Sequence, residues 1–251
     1  MDKKTLQEMF KEYVDKYDMN DKNISLKYFH SLRVMKISEQ IAEYEYLTEK
    51  EKNLAIIVGL LHDYARFEQW TKYKTFSDLT SIDHGDYAVK LLFENNEIKK
   101  FNLNEEYYSA IYDAIKYHNK YEVPENIKEE NKTICKLIRD ADKLDILYLL
   151  GNGEINLQNS ESEITPDVKE DFYNHQSINK KSVKSYNDKI ILNLCMIYDL
   201  NFKSTYKYIK EENLLNNFYD KVPNKQLFKQ YFEYMEKYIN ERTKGYVRKK
   251  I

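Results

Sequence analysis

Glycine and proline are so scarce that they decide the fold class. Five glycines and three prolines serve 251 residues. A β fold needs frequent turns, and turns draw on those two residue types. Long helices do not. With 33% charged residues, the composition predicts an all-α chain whose helices carry charged outer faces. Apolar periodicity agrees almost throughout. Leu6, Met9, Phe10 and Val14 mark a helix over 3–17, and His30, Val34, Ile37 and Ile41 form a buried stripe on a helix over 26–44. Thr48 and Glu51 read as a capping box. They open the helix AIIVGLLHD, which is apolar all round and so belongs in the middle of a bundle. Residues 66–82 lose the period and read as a loop. Ser81 or Asp83 caps the next helix, which carries His84, Ala88, Leu91 and Leu92. Helices are expected over 104–119 and 133–150, with a polar loop containing Pro124 between them.

Residues 151–164, GNGEINLQNSESEI, are the clearest linker. They separate a helical core, 1–150, from a C-terminal helical extension, 165–251, expected to pack on that core. Thr165-Pro166 reads as a cap followed by a first-turn proline, and helices follow over 181–199, 202–221 and 224–243. A formal net charge of −2 gives no footprint for nucleic acid. The basic run Arg242, Lys244, Arg248, Lys249 and Lys250 reads as a solvated helix end. Cys135 and Cys195 are expected to be buried, reduced thiols of a cytoplasmic protein. The N-terminus is charged and amphipathic, without the apolar region of a signal peptide. No run approaches 18 apolar residues, so no membrane span is expected. The oligomeric state stays open.

Histidine is as scarce as glycine, and four of the five fall into one ordered pattern with two aspartates. His30 is followed by His62-Asp63 in GLLHDYARFEQ, His84 in SIDHGDYAVKLL, His118 in AIKYHNK and Asp142 in LIRDADKLDIL. All six are N/O ligands and no cysteine is interleaved, which suits Mn, Fe, Ni, Zn or Mg over a thiolate-loving metal. Each lies on an apolar helix face or at a helix end. A buried carboxylate such as Asp142 is costly without a partner, and a metal supplies one. His175 sits in a polar context without companions and reads as an ordinary surface or hinge histidine.

The pattern resembles the HD superfamily of metal-dependent phosphohydrolases over roughly residues 20–150. In that family a His, a His-Asp dyad and a distant Asp are carried on helices, and members with two further histidines usually hold two metals. The resemblance implies a helical HD bundle with one or two divalent metals per chain. His30, His62, Asp63 and Asp142 would hold the first metal, and His84, His118 and a bridging Asp63 the second. Alignment onto ADKLD selects Asp142 over Asp140 and Asp145. The implied reaction is hydrolysis of a phosphoester in a small phosphorylated metabolite or nucleotide, through a metal-held hydroxide. His62, Asp63, Arg66 and Lys143 would be the catalytic set. Family analogy puts Lys143 on a substrate phosphate. Arg66, one turn past the dyad, is a second candidate phosphate contact. Arg139, one turn before Asp142, is either a third or a structural ion pair. Phe67 and Trp70 read as anchors of the 64–82 loop. Neutral imidazoles are required, so activity should fall below about pH 6.

HDYARFEQ, TFSDLTSIDHGDYA and IRDADKLDIL look like a bacterial subgroup with no substrate assigned. The signatures of guanosine-tetraphosphate hydrolases, dNTP triphosphohydrolases, cyclic-di-GMP phosphodiesterases and diadenosine tetraphosphate hydrolases are absent. A minority of the superfamily uses the same ligand types in a mixed-valent di-iron centre that oxygenates a C–H bond, which is the alternative reading. A regulatory binding module without catalysis is a third.

Overall fold

The structure, a computed structural model, describes residues 2–245. Every regular element among them is helical, as the scarcity of turn formers requires. Chain contacts divide the protein into two compact units, Met1–Asp142 and Lys143–Ile251. The division falls inside a helix, ahead of the segment that the sequence marks as a linker.

The first unit contains α1 (Lys3–Val14), α2 (Lys22–Tyr44), α3 (Glu49–Leu61), α4 (Arg66–Tyr73), α5 (His84–Val89), α6 (Tyr108–Tyr117) and the first part of α7 (Glu129–Asn152). α2 and α3 are joined by a short connection and pack along one another more extensively than any other pair in the unit. Gly59 makes that approach possible. A Cβ there would stand 2.7 Å from the Cα of Met35 and 2.8 Å from the Ser38 hydroxyl, well inside contact distance. The expected capping box opens α3: Glu51 N–H donates to Thr48 Oγ1, and Thr48 N–H donates to the Glu51 carboxylate. Leu54, Ala55, Val58, Leu60 and Leu61 are all buried, so α3 is the central helix its sequence predicts. Asp83, not Ser81, caps α5 by accepting from Asp86 N–H.

The expected loop over 66–82 is half helix. α4 escapes the apolar period because its buried face consists of one aromatic residue and one amide, Phe67 and Gln69. Phe67 is fully buried and meets the rings of Phe10, Tyr13 and Tyr17, so it is an anchor. α4 ends at Lys74, whose φ of +52° is left-handed. The chain then runs through a short 3₁₀ turn at Asp78–Thr80.

The second unit contains the rest of α7 with α8 (Pro166–Tyr173), α9 (Tyr186–Cys195), α10 (Lys203–Glu211), α11 (Leu214–Lys221) and α12 (Lys225–Arg242). Pro166 takes the first helical turn as expected. Thr165 turns its hydroxyl to Asp188, whose carboxylate also accepts the N–H groups of Thr165, Lys184 and Ser185. The helix expected over 181–199 begins later, at a second capping box, Ser185 with Asp188. That expected over 202–221 is broken at Asn213, where φ is +53°. Cys135 and Cys195 are both free and buried. Arg242 lies over the Tyr238 ring; Arg248, Lys249 and Lys250 lie outside the described residues. No described helix is long and apolar enough to cross a membrane.

Candidate metal centre

Helix ends and the faces of two helices, α2 and α7, deliver the six candidate ligands to one place. His30 lies on the buried face of α2, His62 and Asp63 end α3, His84 begins α5, His118 ends α6 and Asp142 lies on α7. The N-terminal residue of α5 can reach the end of α6 because of Gly85. A Cβ there would meet Asn119 Oδ1 at 2.5 Å and Lys116 O at 3.0 Å.

The ligand atoms form three overlapping triads, His30–His62–Asp63, His62–His118–Asp142 and Asp63–His84–His118; taken about the two oxygens of Asp63, they make two adjoining groups. In the first, His30 Nε2 lies 3.1 Å from His62 Nε2, 3.3 Å from Asp63 Oδ2 and 3.2 Å from Asp142 Oδ1. His62 Nε2 lies 3.6 Å and 3.7 Å from the same two oxygens. In the second, Asp63 Oδ1 lies 3.5 Å from His84 Nε2 and 3.8 Å from His118 Nε2, and the two nitrogens are 2.9 Å apart. Asp63 therefore gives one oxygen to each group.

The donor set fits divalent cations. Ligands about 2.1 Å from a shared ion stand roughly 3.0–3.4 Å apart at right-angled to tetrahedral spacing, close to the separations observed. The imidazoles are also aimed correctly. Nδ1–H of His62 donates to Gly59 O, that of His118 to Ile115 O and that of His84 to Asp78 Oδ2. This leaves each Nε2 lone pair facing the cluster. Pairs of lone pairs at about 3 Å repel unless a cation lies between them.

Electrostatics favour the ligating forms. Burial pushes the His62 imidazole below its ordinary value, against the pull of Asp63 and Asp142. Burial, with Arg66 nearby, takes His84 down to about 3. Burial alone would raise the Asp63 carboxyl, but Lys27, His62 and Arg66 hold it well below the carboxylate range. Asp142 is likewise held low against burial by His30 and His62. Alone of the six, it stays partly open to solvent. Asp140 and Asp145 are fully buried and belong to none of the ligand groups found among the described residues.

Four residues that sequence reasoning missed complete the surroundings. Asp78 accepts from His84 Nδ1–H at 2.7 Å, Asn119 Nδ2, Arg66 Nη1 and Gln69 Nε2. Buried Gln69 also holds the 78–82 turn through Ser81 Oγ and Ile82 O. Lys27 Nζ donates to Asp63 Oδ2 at 2.6 Å. One signal for Lys27 was available: it precedes His30 by three residues and so shares its helix face.

The expected cations differ in what they touch. Arg66 donates from Nε to Asp63 Oδ1 and from Nη1 to Gln69, Phe76 O and Asp78, while Nη2 has no hydrogen-bond partner among the described residues. Arg139 is buried and turns to backbone, donating to the carbonyls of Tyr117, His118, Lys120 and Tyr121 at the end of α6. These contacts tie Arg139 to the backbone at the end of α6. Lys143 Nζ pairs with Asp199 at 2.9 Å. His175 is exposed and donates to or accepts from Tyr234 OH among the tyrosines of the second unit.

Residues 28–147 match the HD domain family, and the His and Asp cluster fits the metal-binding site of such a domain. HD domains belong to a superfamily of metal-dependent hydrolases, and the His and Asp groups here are able to hold divalent metal. No curated protein and no solved structure matches the chain.

Proposed function

We propose that the protein hydrolyses a phosphoester in a small phosphorylated metabolite or nucleotide. One observation carries the reading: Asp63 offers its two carboxylate oxygens to two adjoining ligand groups, with cationic side chains on either side. When bound, two divalent ions supply a water ionised near neutral pH and positive charge for the attacking and leaving oxygens. The chain does the rest. His30, His62, Asp63 and Asp142 would hold one ion, and His84, His118 and Asp63 the other. Gly59 O, Ile115 O and Asp78 keep the imidazoles oriented. Arg66 uses its uncommitted Nη2 to hold a non-bridging phosphate oxygen. Arg139 positions His118 by bracing the end of α6. Lys143, beside Asp142 in sequence, is a second phosphate contact on the family resemblance, and it must share or exchange Asp199 to act.

The test is a phosphate-release screen across nucleotides and sugar phosphates with Mn, Fe, Mg and Zn. Turnover should depend on metal. On the best substrate, Arg66→Ala should lower kcat/KM about tenfold or more with metal content unchanged, because a charge-assisted contact is lost. Unchanged kinetics would remove Arg66 from the site. Iron content with oxygen-dependent consumption of substrate and no phosphate release would favour the di-iron oxygenase.

A further inference from the structure

Lys27 and Arg66 sit astride one carboxylate. Lys27 Nζ is 2.6 Å from Asp63 Oδ2, the oxygen of the first ligand group. Arg66 Nε is 3.3 Å from Asp63 Oδ1, the oxygen of the second. Both cations also lie against the Phe76 ring, Lys27 Nζ at 5.4 Å and Arg66 Cζ at 5.6 Å from its centroid. Their side chains are 16% and 13% exposed, so each is largely buried yet still reaches solvent.

An ion pair that served only to hold Asp63 would lose its purpose once that carboxylate bound metal. Charge makes the point sharper. Among the described contacts of the cluster, three carboxylates, Asp63, Asp78 and Asp142, face two cations, Lys27 and Arg66. Two divalent ions turn that small negative excess into a positive excess of three. Uncompensated charge in a buried site is costly, so the loaded centre calls for a partner with more than one negative charge. A dianion would cut that excess to one, whereas a monoanion would leave two.

Reach agrees with charge. Two contacts through one carboxylate keep Lys27 Nζ and Arg66 Nε within about 8 Å of each other, roughly the span of one phosphate group accepting a charge-assisted hydrogen bond on each side. We propose that Lys27 and Arg66, braced by Phe76, form a subsite for the terminal phosphate of a phosphomonoester dianion, in preference to a diester monoanion. The inference rests on the hydrolase reading and narrows its substrate class.

The test uses the full-length, metal-loaded protein and two probes, methyl phosphate and dimethyl phosphate, with binding followed by calorimetry. The wild type should bind methyl phosphate at least about tenfold tighter than dimethyl phosphate. Lys27→Met should weaken methyl phosphate by about tenfold and leave dimethyl phosphate within about twofold, with metal content unchanged by elemental analysis. Lys27→Arg keeps the charge and should recover most of the binding, which separates a lost contact from a damaged fold. Equal binding of the two probes by the wild type would overturn the proposal. So would methyl phosphate binding that ignores Lys27→Met, or a loss of metal in that variant matching its loss of binding, since Lys27 would then only position Asp63. Absence of phosphate release in the substrate screen is a different failure, because it rejects the hydrolase reading whatever the probes do.

Discussion

Asp78→Asn isolates the second ligand group. The Asp78 carboxylate faces four donors, Arg66 and Gln69 on Oδ1 and His84 and Asn119 on Oδ2. Burial would raise its carboxyl, but hydrogen bonding from His84 and the charge of Arg66 hold it low. An amide has one acceptor end and one donor end. Whichever way it turns, its NH₂ confronts two donors, and the charge is gone. If His84 keeps the oxygen, Arg66 and Gln69 lose theirs; if not, the His84 ring is free to rotate. Losing two such bonds costs about 2–4 kcal/mol, or a fall of roughly 5–10 °C in Tm for a unit of this size. Removing the partner of a metal-ligating histidine typically weakens metal about 10- to 100-fold. Titration of metal-free protein with Mn²⁺ should therefore show one site shifted by that factor and the other unchanged. Equal shifts at both sites, or a shift at neither, would refute the assignment of Asp78 to His84 alone.

The other predictions use different readouts. Asp142→Asn should lose the metal held by His30 and His62, whereas Asp140→Asn should keep metal stoichiometry; elemental analysis decides, and the reverse result would move the ligand. Arg139→Met strips the carbonyls at the end of α6 of their donor, so Tm should fall by several degrees, while unchanged Tm would deny the bracing role. His175→Ala should leave metal content and turnover within about twofold, as exposed positions usually do. His62 and His84 are depressed by burial, so the unfolded chain binds more protons in the window between the two states' values. Stability is then complete above about pH 6.5, the unfolded value, and is lost as pH falls from there toward the folded values. Thermal melts of metal-free protein should show Tm declining from about pH 6.5 downward. A level profile to pH 5 would contradict neutral, buried imidazoles.

The candidate ligand set was legible because histidine is rare and four of the five sit where a helix turns them inward. The all-α class followed from what the composition lacks. What surrounds the ligands was harder to see. α4 hid because Gln69, a polar residue, is buried to hold a loop, and no apolar period records that. Asp78 lies in a polar stretch resembling any other, and its role exists only once His84 is across from it. Lys27 is one of many lysines, and only its spacing from His30 marked it. The breaks at Lys74 and Asn213 use left-handed backbone without glycine, so the usual stop signal was missing. Arg139 was readable as a cation near the site, but only the backbone path of residues 117–121 shows that it holds carbonyls.

The central claim is that Asp63 bridges two metals held by the other five ligands. Electron paramagnetic resonance of protein loaded with two equivalents of Mn²⁺ tests it most directly, because ions about 3.5–4 Å apart in a shared site couple magnetically. The account predicts the spectrum of an exchange-coupled pair, replaced in Asp63→Asn by uncoupled Mn²⁺ or by none. A six-line spectrum of isolated ions in the wild type at full loading, or saturation at a single equivalent, would contradict it.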